Sequence, residues 1–257
     1  MKIDILTLFP EMFTGFLDTS IIKRAVFKKA VEIATHDIRS FTLDKNGRVD
    51  DCSVGGGAGL IMKCQPVLDC LASIKTSDTF VVLTSPRGVK FNQALAHELA
   101  SKKHLVIICG HYEGVDQRIS KQVDLEVSIG DYILTGGELP AMVISDAIIR
   151  LEDGAISEES IIEESFENGL LEYPQYALPR EYNGEIIPDI LFSGNHTAIA
   201  KWRLKESLRL TKAKRPDLLV NRKFTKTEQK LLNELEEGNE NPKWLQDAVK
   251  KAKKFMK

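Results

Sequence analysis

Along the first 150 residues, short β-branched and apolar runs alternate with segments whose apolar positions recur at helical spacing. Ile3–Leu8 (IDILTL) reads as a buried strand. The spacing after it predicts a helix over Ile21–Ala30 with Ser20 as its cap, and Val31–Ile38 (VEIATHDI) alternates as a second strand. Asp44–Gly59 is polar and glycine-rich, hence a loop. Helix is expected at Gln65–Ile74, strand at Phe80–Leu83, helix at Gln93–Ser101 under an Asn92 cap, and strand at Leu105–Cys109. Pro140 falls near the first turn of a further helix that runs to Leu151. Strands alternating with helices imply an α/β fold whose mostly parallel sheet is covered on both faces. Beyond Leu151 the pattern is helical, roughly at Thr197–Leu210, Thr225–Leu235 and Asn241–Phe255.

Composition bounds this picture and then complicates it. With 257 residues, 43% of them hydrophobic and 28% charged, the chain can bury a substantial core in one large α/β domain or two. A mainly disordered chain is excluded. The formal net charge of −2 argues at first against a nucleic-acid partner, but the charge is not evenly spread. Seven acidic residues and no basic one lie between Glu152 and Glu167 (Glu152, Asp153, Glu158, Glu159, Glu163, Glu164, Glu167), which reads as a solvated linker. Ten basic residues against Glu206 and Asp217 follow between Lys201 and Lys226, a local balance of +8. Lys250, Lys251, Lys253, Lys254 and Lys257 extend that sign to the tail. Cys52, Cys64, Cys70 and Cys109 form no CxxC pair and read as reduced thiols. Asp4 and Pro10 interrupt what would be the apolar core of a signal peptide, and no apolar run is long enough to span a bilayer. A cytoplasmic protein is expected.

Several loops carry candidate chemistry. Gly55–Gly59 (GGGAG) lacks the lysine and hydroxyl of a nucleoside-triphosphate loop and the strand before it of a dinucleotide fingerprint. It reads either as a flexible loop or as one that lets backbone approach a ligand closely. Cys109–Asp116 (CGHYEGVD) follows a strand directly, and Ser128–Pro140 (SIGDYILTGGELP) gathers Gly130, Gly136 and Gly137 around an aromatic and a carboxylate. Glycines at the carboxyl ends of parallel strands sit where α/β sheets bind ligands. The two loops therefore point to a nucleoside pocket built largely from backbone groups. His111 has no Ser, Cys or second His near it, and a structural role is favoured. In Gly169–Tyr176 (GLLEYPQY), Glu172 has apolar neighbours and reads either as a surface glutamate in a linker or, where desolvated, as a proton acceptor near neutral pH. Asn195 is a helix cap, and Trp202 among Lys201, Arg203 and Lys205 suits nucleic-acid contacts or, alternatively, a buried indole under a solvated basic face.

Taken together, IDILTLFPEMF, VDDCSVGGGAGLIM, SPRGVKFNQ, CGHYEGVD, SIGDYILTGGELPAM, GLLEYPQY, SGNHTAIAKWR and RPDLL resemble, in order and over nearly the whole chain, the bacterial tRNA (guanine-N1)-methyltransferases of the SPOUT class. The resemblance implies a deep trefoil knot in residues 1–158, which bind S-adenosylmethionine. A linker over 159–175 would carry the catalytic carboxylate, and a small all-α tRNA-binding domain would occupy 176–257. It implies a homodimer with tRNA across the subunit interface, and methyl transfer to N1 of the guanosine just 3′ of the anticodon. Carried over by position, the cofactor pocket comprises Ser85, Pro86, Gly110, Tyr112, Glu113, Ile129, Gly130, Asp131, Tyr132, Ile133, Leu134, Gly136, Gly137 and Pro140. Arg150 matches a catalytic arginine and Glu172 the general base. The tRNA would meet Gly55, Gly56, Gly57 and Gly59, together with Asn195, His196, Trp202, Arg203, Arg209 and Arg215. Mg²⁺ dependence is implied too, with Glu113 and Glu172 as the carboxylates to watch.

The chemistry matches these residue types. Guanine N1 carries a proton and is a poor nucleophile, so a carboxylate must remove it as the methyl approaches. Negative charge then builds on O6, where an arginine stabilises it. Three features depart from the family pattern. The base is Glu rather than Asp, Ala177 and Leu178 replace a threonine and an arginine before Pro179, and LEDGAIS lacks a proline before its glycine. Two other readings remain, a non-catalytic RNA-binding protein of the same fold and a Rossmann-type oxidoreductase. Glu172 and Arg150 disfavour the first, and the missing GxGxxG the second.

Overall fold

The computed structural model describes residues 1–157 and 161–255, and for 252–255 the backbone only. Glu158, Glu159 and Lys257, with the side chains of Lys253 and Lys254, lie outside the described residues. The chain divides into two compact units, Met1–Glu158 and Glu159–Lys257.

The first unit is built on a five-stranded parallel sheet in the order β2 (Glu32–Asp37), β1 (Lys2–Thr7), β6 (His104–Cys109), β5 (Thr79–Lys90), β7 (Leu125–Ser128). Alternation along the strands sorts the side chains onto two faces. Ile3 and Ile5 of β1 with Leu105, Ile107 and Cys109 of β6 enter one core, shared with α2 (Ser20–Phe27) and α6 (Glu138–Ile149). Leu6, Val106 and Ile108 enter the other, shared with α3 (Cys64–Ile74). Asp4 lies on this second side, fully buried, and receives Nε2–H from His36 and His104, each at 2.7 Å, and Lys2 Nζ at 2.8 Å.

Local differences from the sequence pattern have local causes. Helix α2 ends at Phe27 rather than Ala30, because Lys29 turns left-handed (φ 59°) and the Ala30 N–H closes back on the Ala25 carbonyl. Strand β5 continues beyond Leu83 to Lys90, with its β7 register shifting between Thr84 and Val89, where Pro86 has no N–H for the ladder. The polar stretch before Gly59 is not wholly loop: β3 (Asp50–Cys52) pairs antiparallel with β4 (Leu60–Met62). Asn92 caps α4 (Gln93–Ala100) as expected, its side chain accepting the Leu95 N–H.

The second unit consists mainly of helices: α7 (His196–Lys214), α8 (Lys226–Glu236) and α9 (Lys243–Phe255). Asn195 caps α7, and a Thr225–Glu228 capping box opens α8. Helix α7 runs past the expected Leu210 until Arg215, which precedes Pro216. The unit is not all-α. Glu181–Tyr182 and Glu185–Ile186 pair as a short hairpin, β8–β9, across Asn183 (φ 52°) and Gly184 (φ 86°). Asn-Gly is the pair that tolerates two positive φ angles in a two-residue turn.

Candidate active site

The carboxyl ends of β5, β6 and β7 open into one cleft of about 1180 Å³. It is lined by Thr84–Arg87 after the regular part of β5, Gly110–Arg118 after β6, and Val127–Gly137 after β7, except Asp131, with Pro140 of α6 beneath. The structure thus brings together thirteen of the fourteen residues expected around the cofactor. The exception is Asp131, whose side chain is 92% exposed and lies 3.6 Å from Lys90 Nζ.

Backbone groups hold the cleft's floor. Gly137 N–H donates to the Gly110 carbonyl at 2.7 Å, and His111 and Gly136 form an antiparallel bridge. A Cβ at Gly137 would lie 2.1 Å from Thr84 Oγ1 and 2.7 Å from Gly110 N, so only glycine allows this approach. Thr84 Oγ1 donates to the Ile108 carbonyl and accepts Gly110 N–H, tying β5 to the turn after β6. Tyr112 occupies left-handed backbone (φ 60°) beside the glycines. Burial and a hydrogen bond to Asp50 push its phenol above the usual range. The Cys109 thiol below is fully buried, and burial together with Glu138 raises it well above the usual thiol range, so it stays protonated.

The glycine loop is anchored to this cleft at one end. Glu113 N–H donates to the Leu60 carbonyl and Met62 N–H to the Gly114 carbonyl, both at 3.0 Å. A Cβ at Gly59 would collide with the Glu113 side chain at 2.3 Å, whereas Gly55, Gly56 and Gly57 are exposed with open space around them. Asp51, Cys52, Ser53 and Val54 line the cleft beside them.

Arg150 caps the C-terminus of α6, half-buried. Glu172 belongs to the second unit. Its backbone N–H donates to Ser165 Oγ at 2.9 Å, and the Gln175 side-chain amide donates to its carboxylate. The neighbouring Tyr173 hydroxyl donates to Glu163, which also accepts Arg203 at 3.0 Å, while the Arg203 guanidinium lies over the Tyr173 ring. Burial and Glu163 push the Tyr173 phenol up to about 12.

The basic segment looks different in space than in sequence. Trp202 is 7% exposed, packed with Ile190 and Ala248, so it supports the basic face from beneath rather than offering a stacking surface. Arg209 is held by Glu240 and Glu206, Lys212 by Glu236, Arg215 by Asp217 and Arg222 by Glu228. Lys205 is buried, with Nζ 3.4 Å from Glu234 and 2.7 Å from the Asn239 carbonyl. Asn195 and His196 are exposed at the start of α7. Most of these carboxylates lie outside Lys201–Lys226, which is why a count along that segment overstates its positive charge.

Sequence reasoning missed three contributors: Thr84, the Asp51–Val54 wall, and Glu138, which accepts the Thr7 hydroxyl at 2.9 Å from 131 positions away. No short-range pattern signals such a pair. Among the described residues, no group of three or more His, Cys, Asp or Glu side chains is placed to hold a metal ion, and no helix is long and apolar enough to cross a membrane.

Comparison with known proteins adds a second line of evidence. Residues 1–221 match the family model described as tRNA (Guanine-1)-methyltransferase TrmD. A tRNA (guanine-N(1)-)-methyltransferase of Dictyoglomus turgidum is 51% identical over 236 residues, 91% of this chain and 96% of that protein. One from Acholeplasma laidlawii is 52% identical over 241 residues, 93% of this chain and 99% of that protein. One from Citrifermentans bemidjiense is 50% identical over 244 residues, 93% and 98% respectively.

Proposed function

The chain belongs to the tRNA (guanine-1)-methyltransferase family, and from that premise we propose how its own residues carry out the reaction. It is a methyltransferase acting on tRNA. Neither the oxidoreductase reading nor the non-catalytic one finds support beside these relatives.

The observation that carries the mechanism is the convergence of the loops after β5, β6 and β7 on one backbone-lined cleft. S-adenosylmethionine supplies the methyl group there. Backbone groups of Gly110, Gly136 and Gly137 leave room for its adenosine, and Tyr112, Ile129, Tyr132 and Leu134 exclude water around it. Glu172 accepts the N1 proton of the guanosine 3′ of the anticodon, and the Arg150 guanidinium stabilises the charge developing on O6. The longer reach of Glu172 relative to aspartate moves its acid by one methylene.

A trefoil knot in the first unit is part of this reading on the strength of the family alone. Leu139 and Val143, exposed one turn apart on α6, support a homodimer through that helix. The exposed glycine loop and the basic helices of the second unit bind the tRNA backbone, in the cytoplasm where the substrate resides. Mg²⁺ dependence enters this reading on the strength of the family alone, with Glu113 and Glu172 as the carboxylates concerned.

The test is incubation of the purified protein with methyl-labelled S-adenosylmethionine and unmodified tRNA carrying guanosines at the last anticodon position and just 3′ of it. Label is expected on N1 of the second guanosine. Absence of label there, with the first or neither modified, would overturn the assignment.

A further inference from the structure

One buried charge beside the cleft has no part in the mechanism above. Glu138 is 2% exposed and sits in the first turn of α6, where a helix N-terminus favours negative charge. Its Oε1 accepts the Thr7 hydroxyl at 2.9 Å. Its Oε2 faces His111 Nδ1 across 3.7 Å, just beyond hydrogen-bond range. That nitrogen is itself buried and has no hydrogen-bond partner. The backbone of Gly136 closes the space around both, since a Cβ there would stand 2.3 Å from Oε2 and 2.5 Å from Nδ1. Phe9 and Tyr112 flank the imidazole, each with ring centroid 4.9 Å away.

A buried carboxylate with one neutral donor and a buried ring nitrogen with none are each costly. A small approach of the two satisfies both. They stand on the two loops that the Gly137–Gly110 bond and the His111–Gly136 bridge already join. We propose that His111 and Glu138 are a positioning pair for the methyl donor. When S-adenosylmethionine enters, His111 Nδ1–H donates to Glu138 Oε2 and locks the loops after β6 and β7 around it. The proposal rests on reading the cleft as the S-adenosylmethionine site.

Calorimetric titration of the full-length protein with S-adenosylmethionine tests it, using three variants. His111→Phe keeps a ring between Phe9 and Tyr112 but removes the donor. His111→Asn restores an N–H near the Nδ1 position, and Glu138→Gln removes the charged acceptor. The pair predicts that His111→Phe raises Kd about tenfold, the size of one hydrogen bond to a charged group. His111→Asn should stay within about threefold of wild type, and His111→Phe combined with Glu138→Gln should bind no more weakly than about the worse single variant. At saturating donor, kcat should change less than KM in all of them. Wild-type affinity in His111→Phe, equal loss in His111→Asn and His111→Phe, or losses that add in the double variant would each overturn the pair. Should Glu138→Gln fail to fold, the two His111 variants still decide. Failure of the wild type to bind S-adenosylmethionine would overturn the reading of the cleft and the pair with it, whereas wild-type binding without this pattern overturns the pair alone.

Discussion

The cleft of the first unit and the basic helices of the second meet the cost of placing polar groups in different ways. In the cleft, glycines let backbone groups satisfy one another, as in the Gly137–Gly110 bond and the His111–Gly136 bridge. In the helices, long side chains are satisfied by carboxylates reached across the fold, as with Lys205 and Glu234, Arg209 and Glu240, or Lys212 and Glu236. The first solution is rigid and sensitive to one added carbon. The second is tolerant at the surface and sensitive only where a charge is buried. A ligand with a fixed shape suits the first, and a polyanion that is met in many registers suits the second.

Removing the buried charge of the second unit should have the largest effect. Lys205→Met leaves Glu234 buried, with Trp244 Nε1–H as its remaining hydrogen-bond donor among the described residues, and should cost about 3–5 kcal/mol of stability, read by denaturant unfolding. Donor affinity per folded molecule should hardly change. An equal loss of donor binding would erase the contrast between the two regions.

Gly137→Ala attacks the cleft instead. Its Cβ must displace Thr84 or the turn at Gly110, at a cost of about 1–3 kcal/mol, and donor binding should weaken accordingly while tRNA affinity persists. Calorimetry against gel-shift binding separates the two. Unaltered donor affinity would show that the glycine contact does not shape the site.

Asp4 shows that the first unit also holds a side-chain cluster, away from its loops. Burial alone would raise its carboxyl, but bonds from Lys2, His36 and His104 outweigh that and hold it below the usual carboxylate range. A lowered folded-state value contributes stability that is present above the unfolded value, near pH 4, and is lost as pH falls through the folded one. Asp4→Asn should therefore cost about 1–3 kcal/mol at neutral pH, and thermal melts of the two proteins should converge as pH drops below about 4. A constant gap across that range would contradict the ionised assignment.

The smallest effect concerns salt. The +8 of Lys201–Lys226 predicts a steep fall of tRNA affinity with ionic strength, yet among the described residues six of the ten cations face carboxylates. Substituting the exposed Lys223 should lower the slope of log Kd against log salt by up to about 0.9, and substituting Lys212, held by Glu236, by less. Equal changes would mean that the ion pairs open on binding.

These contrasts also explain what the sequence revealed. Strands β1 and β6, the Asn92 and Asn195 caps and the three last helices announce themselves through short-range pattern, because each buries one stripe or face. Strand β7 has four residues, one of them Glu126, and β8–β9 has two per strand, too short for a period to register. Glycines at strand ends pointed to a backbone-lined pocket, but its individual residues came from family resemblance. Glu138 escaped because its partners Thr7 and His111 are distant in sequence, and the net charge of the basic segment misled because Glu163, Glu234, Glu236 and Glu240 lie outside it.

The central claim is that the two units divide the reaction: one holds the methyl donor, and the other brings the proton acceptor, Glu172. The most direct measurement follows Glu172→Gln by calorimetry with S-adenosylmethionine and by single-turnover transfer of labelled methyl to tRNA. The expected result is donor affinity within about twofold of wild type and transfer slowed by at least about a hundredfold, the lower bound for losing a general base. Transfer at the wild-type rate, or donor affinity lost in step with transfer, would contradict it.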